Sequence, residues 1–296
     1  MNQGDLKKAA LESAKDEFAD YAVYKNLSES SWEKNIQFKN TLARLAGMEY
    51  RHYEFWMKYC PGEKVSVGSF KVKIIALLRL FLGVTFVVRY MERNEAAVIR
   101  KYRGMSSVIP TEDKAAFEEM IADEEEHERD FSEQFQEPHI KYISFIVLGL
   151  ADALVEIAGI HAGSLGIYNS TELAGLAGIV AGAAASIAMA SAAYAQAKAG
   201  FKGSATQSAV YTGISYFVTA VILASPYFLT KIMLEALLAS LTLAVLVIAF
   251  VSFYGSVISG SVFSKDFIEV TSIMFGATIA LYILGTAIRH LTGLSI

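Results

Sequence analysis

The sequence predicts an all-α protein in two parts, a charged bundle of four helices followed by five helices long and apolar enough to cross a membrane. Three observations carry this reading. At 54% hydrophobic residues and a mean hydropathy of +0.38, the 296-residue chain is too apolar to be wholly soluble. Its charge is uneven: residues 140–296 hold only six basic and six acidic side chains, so twenty basic and twenty-four acidic ones fall in residues 1–139. In that first half, apolar residues recur at three- and four-residue spacing with no strand-like alternation. The net charge of −4 leaves no basic stripe, which excludes a nucleic-acid binder. The single cysteine, Cys60, excludes a disulfide framework and a thiolate-held metal or cluster.

The first part, residues 1–138, is broken at Pro61-Gly62, Gly68, Gly104 and Pro110. Those breaks predict helices over residues 6–30, 31–60, 69–102 and 111–136. The fourth is expected to start on Thr111 as N-cap with Glu112 and Asp113 in its first turn. Within the third, residues 72–88 are nearly all apolar, yet the run is short for a span and contains Arg79, with Lys73 just inside its start. A helix lying in the membrane interface or packed on the membrane part is expected there, its basic side chains reaching headgroups. The N-terminal segment is charged from Asp5 onward and has no apolar core of a signal peptide, so this part is expected on the cytoplasmic side.

The second part, residues 139–296, contains apolar stretches at 142–167, 172–198, 208–229, 232–259 and 267–291. Each can cross a hydrocarbon core of about 30 Å, which takes roughly 20 helical residues. The second is dense in Gly, Ala and Ser from Gly175 to Ser186, the composition of a helix enclosed by other helices. With a cytoplasmic N-terminus, Lys141, Lys198, Lys202 and Lys265 fall on the inner side against Lys231 and Arg289 outside, which agrees with the positive-inside tendency.

The first part repeats a pattern. Glu17 stands seven residues before Tyr24 and is followed by Glu49-Tyr50-Arg51-His52. Glu95 stands seven before Tyr102 and is followed by Glu124-Glu125-Glu126-His127. Residues three apart share a helix face, so each Glu-x-x-His presents a carboxylate and an imidazole to one point. One Glu-x-x-His arises easily by chance in so acidic a chain; two, each with an upstream Glu and a matching Tyr, do not. Four carboxylates and two imidazoles make the shell of a dinuclear iron or manganese site in a bundle. Glu92, one turn before Glu95, is an alternative ligand.

Ionisable groups inside spans cost about 2.5–3.5 kcal/mol each on insertion scales and usually serve a function. Asp152 and Glu156, four apart in the first span, point the same way and can hold a divalent cation or exchange protons for it. His161 lies off that face, where a structural role is expected. Met189 in the second span offers a thioether that a transition metal can use, although a lone Met in an apolar helix is ordinarily core.

Glu17, Glu49, His52, Glu95, Glu124 and His127 fall on the ligand pattern of the rubrerythrin branch of the ferritin-like superfamily, which most of residues 6–136 resembles. That resemblance implies a ferritin-like four-helix bundle with two irons and oxidation of ferrous iron by oxygen or peroxide. No rubredoxin-type Cys-x-x-Cys accompanies it, which favours iron handling over peroxide reduction. Residues 140–292 resemble the vacuolar iron transporters through residues 147–156 and 178–194, the run Tyr211-Thr212-Gly213-Ile214-Ser215-Tyr216, Pro226 and Gly285. That family has five spans, dimerises, and moves ferrous iron or manganese out of the cytosol in exchange for protons; its ion path maps onto Asp152 and Met189. Ala193 stands where many members have a Glu before Tyr194, so either Glu156 replaces the lost carboxylate or the metal preference differs. Only about residues 199–207 join the second and third spans, where other members carry a metal-binding segment, a role the fused bundle can take over. Fusions of the two modules form a subfamily, the membrane-bound ferritins.

The expected function is export of iron, with manganese as a second cargo, from the cytoplasm of a prokaryote by proton antiport. The bundle would capture or oxidise ferrous iron before transport. The partners are then metal ions, protons, lipid and a second copy of the chain. The alternative is a membrane-anchored ferroxidase or peroxidase without transport.

Overall fold

The computed structural model describes residues 3–30, 36–66, 69–93, 95–134 and 142–292. It is helical throughout, with no strand among the described residues, and divides into two compact units, residues 1–135 and 136–296.

In the first unit, α1 (Gln3–Glu29) and α2 (Ile36–Met57) pack along their lengths, and α2 ends in the Pro61-Gly62 turn, where Gly62 has φ +82°. The apolar third segment is three helices and not one: α3 (Ser69–Leu82), α4 (Val84–Glu92) and α5 (Glu95–Met105). The first break is Gly83, at φ +83°, a left-handed conformation that costs glycine little. The apolar pattern runs on across that position, so periodicity alone hides the break. The helix that starts at Val84 ends at Glu92, Arg93 is in a turn, and the next helix is described from Glu95, so Glu92 and Glu95 stand on different helices. The fourth helix also starts later than expected. Thr111–Asp113 forms a single 3₁₀ turn after Pro110 with no side-chain cap, and α6 runs from Lys114 to Gln134.

The core of this unit is aromatic. Trp56, Phe55, Tyr102 and Phe117 pack against Ala10 and Ala14 of α1 and Met120 and Ile121 of α6. Trp56 lies edge-on to Phe117 with ring centroids 5.7 Å apart. Small residues at 10 and 14 let α1 approach these rings, and the next inward position along that stripe is Glu17.

In the second unit, five helices are long and apolar enough to cross a membrane: α7 (Ile143–Ile167), α8 (Thr171–Gly200), α9 (Ala205–Ala224) continued by the short α10 (Pro226–Leu229), α11 (Met233–Ser259) and α12 (Phe263–Thr292). This makes the chain a membrane protein. Ser170 and Ser204 cap α8 and α9, each accepting from a backbone N–H three residues on. The central helix is α7, which packs against α12, α9, α8 and α11. Thr212 and Ser215 of α9 donate to the Phe145 and Ile146 carbonyls of α7 at 2.9 and 3.1 Å. Gly285 of α12 lies so close to the Gly163 backbone of α7 that a Cβ would not fit, the close approach small residues permit in lipid. His161 of α7 is wholly buried, with its ring 4.3 Å from that of Tyr227 and Nδ1 3.4 Å from Ser240 Oγ. The α8 helix is less enclosed than its small-residue composition predicts. The small-residue stripe of α8 is buried, but Leu176, Val180 and Ile187 on its other side are exposed in the single chain, so α8 is enclosed on one face only.

Candidate metal centre

Helical spacing carries four side chains into one point of the first unit. Ala10, Ser13, Ala14 and Glu17 form the buried stripe of α1; Leu42, Leu45, Glu49 and His52 form that of α2; Phe117, Met120, Ile121 and Glu124 form that of α6. Glu17, Glu49, His52 and Glu124 are each at most 4% exposed, and each offers a donor atom within 4.8 Å of the others. Carboxylates and imidazoles of this burial are retained only when paired or metal-bound.

His52 Nδ1 sits at the focus, 3.0 Å from Glu124 Oε1, 3.6 Å from Glu17 Oε2 and 3.7 Å from Glu49 Oε2. It nevertheless makes no hydrogen bond of acceptable direction, so a buried ring nitrogen faces three carboxylates without a conventional partner. The other ring nitrogen, Nε2, lies 3.4 Å from Asp123 Oδ2, and Arg51 Nη2 lies 3.5 Å from the same oxygen. Such a contact orients an imidazole and selects its tautomer. Beyond it a cleft of about 320 Å³, lined by Arg51, Glu54, Lys58, Glu119 and Asp123, opens beside His52.

The electrostatics follow from crowding. Burial, with Glu124 and Glu17 beside it, holds the Glu49 carboxyl well above the usual carboxylate range, although the neighbouring His52 ring works the other way. Burial lowers the His52 value, but the Glu124, Glu17 and Glu49 carboxylates facing Nδ1 favour the charged ring more strongly and the net shift is upward. Without a cation, the cluster therefore retains protons that a divalent ion would displace. Tyr102 OH donates to Glu17 Oε1 and accepts from Trp56 Nε1 at 3.2 Å, so the carboxylate is anchored from outside the cluster. Burial first and Glu17 second push the Tyr102 phenol well above its ordinary value.

Of the expected ligand set, the structure brings together Glu17, Glu49, His52 and Glu124. Glu92, Glu95 and His127 stand on α4, α5 and α6, but their side chains lie outside the described residues. Asp123 has no spacing that marks it in the sequence: it stands directly before Glu124 within a run of acids. Tyr102 is legible in the sequence as a repeated position, whereas its bond to Glu17 is not.

In the second unit, Asp152 and Glu156 are half-buried on α7, and Tyr216 of α9 donates to Glu156 Oε2 at 2.5 Å. Met189 of α8 is partly buried and packs against the cluster that contains Ala153, Leu154, Ile157 and Tyr216. The pair thus faces a hydroxyl from a neighbouring helix within an apolar layer. Glu172 at the start of α8 is paired with Lys231, and Thr171 donates to the Thr230 carbonyl at 2.8 Å, which ties α8 to the turn before α11. No protein-family model, no curated protein and no solved structure matches this chain.

Proposed function

We propose that the protein moves divalent iron, and manganese as a second cargo, out of the cytoplasm of a prokaryotic cell in exchange for protons. Its first unit is a ferritin-like, rubrerythrin-type bundle that collects the metal. One observation carries the reading: three carboxylates and an imidazole, all buried, converge within 4.8 Å in a chain that also has five helices able to span a membrane. A cluster so enclosed is costly unless something neutralises it, and oxygen donors with one imidazole suit iron or manganese.

The donor set fits such a metal, since His52 Nδ1 is buried, faces three carboxylates and lacks a hydrogen bond. Glu17, Glu49, His52 and Glu124 would hold the first ion, with Glu95 or Glu92 and His127 completing a two-metal shell. Bound iron would supply one-electron chemistry toward oxygen or peroxide. The chain's own part is to orient His52 through Asp123, anchor Glu17 through Tyr102, and give up the protons held by Glu49 and His52 as a cation arrives.

In the membrane, Asp152 and Glu156 would receive the cation, with Met189 lining the path and Tyr216 holding Glu156 between loads. Protons taken up by the two carboxylates from the far side would release it. Two acids in one span, one of them bonded to a hydroxyl on a second span, are more than an anchor requires; that favours transport over a membrane-anchored ferroxidase. The bundle would lie on the cytoplasmic side, and the transporter would act as a homodimer.

Titration of the purified full chain with ferrous iron or manganese tests the collecting role. About two metals per chain are expected, one or none after Glu49→Ala with His52→Ala. Unchanged stoichiometry in that variant would refute the ligand set.

A further inference from the structure

The α3 helix is used by neither metal site. From Val65 to Met91 the chain has Lys71, Lys73, Arg79 and Arg89 and no acid, within a unit that is otherwise predominantly acidic. On α3, Ile75 is buried and Arg79 donates to Ser30 Oγ at 2.7 Å, so this side faces the unit's own core, consistent with its packing on α1. Ile74 and Leu77 are 38% and 56% exposed on the other side. Positions 70, 74, 77 and 81 follow one helical stripe, and all four are apolar: Phe70, Ile74, Leu77 and Phe81. At about 100° per residue, positions 71 and 73 fall roughly 80° to either side of that stripe. An apolar stripe flanked by lysines is the pattern of a helix that lies in a bilayer surface with its basic residues at headgroup level.

Chain connectivity supplies the second argument. Only residues 135–141 separate the end of α6 from Tyr142, which directly precedes the first span. Even fully extended, seven residues reach about 25 Å. Covalent linkage to the spans through so few residues raises the effective concentration of α3 at that membrane surface.

We infer that α3 docks on the anionic lipid surface of that same membrane, Ile74 and Leu77 inserted among the upper acyl carbons and the flanking lysines on lipid phosphates. The inference needs the spans but does not depend on which cation the protein carries. Docking would restrain the first unit against the bilayer instead of leaving it on a free tether.

The test uses the full chain in nanodiscs of phosphatidylcholine with one third phosphatidylglycerol, tails brominated or not. A polarity-sensitive fluorophore is attached at Leu77→Cys or, as the control, at Glu119→Cys on α6, which packs against α2 and α5. Cys60 is buried and stays in place. Brominated tails should quench the probe at 77 about threefold more than at 119, and Lys71→Glu with Lys73→Glu should abolish that excess. Equal quenching at the two positions overturns the proposal, as does a blue-shifted probe at 77 that brominated lipid does not quench, the mark of a protein cover. An excess that survives the double charge reversal, or full replacement of phosphatidylglycerol, refutes the anionic surface as the partner.

Discussion

The chain builds two acid-bearing sites from the same element, a helix with ionisable residues on one face, and makes them differ in enclosure. In the first unit, three carboxylates and a histidine from three helices close on one point, each at most 4% exposed, with Asp123 and Tyr102 fixing them from outside. In the second, Asp152 and Glu156 come from one helix and are half-buried, and the contact they gain from elsewhere is the Tyr216 hydroxyl. Many enclosed donors retain a cation, whereas few half-open donors let it go. Under the proposed function that difference would separate a store from a passage, and it rests on how many helices contribute rather than on which residue types are used.

Removing donors from the enclosed site should have the largest effect. Glu49→Ala with His52→Ala is expected to weaken metal binding by more than the roughly 10- to 100-fold that loss of an orienting partner costs, measured by titration calorimetry with manganese. The same variant should still conduct metal through the spans. The converse variant, Asp152→Ala with Glu156→Ala, should abolish metal-driven proton flux in vesicles and leave calorimetric binding intact. If either variant disables both functions equally, the two sites are not separable.

Smaller effects are expected from the groups that surround the donors. Asp123→Asn should weaken metal binding by about 10- to 100-fold through the loosened His52 ring, with the number of sites unchanged. Tyr102→Phe leaves the buried Glu17 carboxylate short of a donor and should destabilise the metal-free first unit by about 1–3 kcal/mol in thermal unfolding.

The smallest effect is a pH dependence. In the metal-free protein, burial first and the neighbouring acids second raise Glu49, and the surrounding carboxylates raise His52 against the effect of burial. Both then bind protons more tightly folded than unfolded. Their contribution to stability is complete below the unfolded values, about 4.3 and 6.5, and is lost as pH rises toward the folded ones. Thermal melts of the metal-free chain should therefore shift down as pH rises from 5 to 8, and saturating manganese should remove that slope.

Much of this was legible in the sequence, for identifiable reasons. The spans fall within a few residues of their expected limits because a run of twenty or more apolar residues can do little else. Glu49 with His52 was legible because a three-residue spacing forces a shared face. Contacts between distant positions were not: Tyr216 meets Glu156 across 60 residues, and Trp56 meets Tyr102 across 46. Nor was the break at Gly83, since an apolar pattern is indifferent to one glycine whose φ the packing sets at +83°. Asp123 was obscured by abundance, one acid among several where only its position opposite His52 gives it a role.

Metal collected by the enclosed site would leave through the open one in exchange for protons. Uptake of iron, manganese and zinc into proteoliposomes of the full chain, with internal pH recorded in parallel, tests it most directly. Iron or manganese uptake accompanied by proton release from the vesicle interior, and lost in Asp152→Ala with Glu156→Ala, is the predicted result. No uptake of any of the three metals above protein-free vesicles, or uptake with internal pH unmoved, would contradict it.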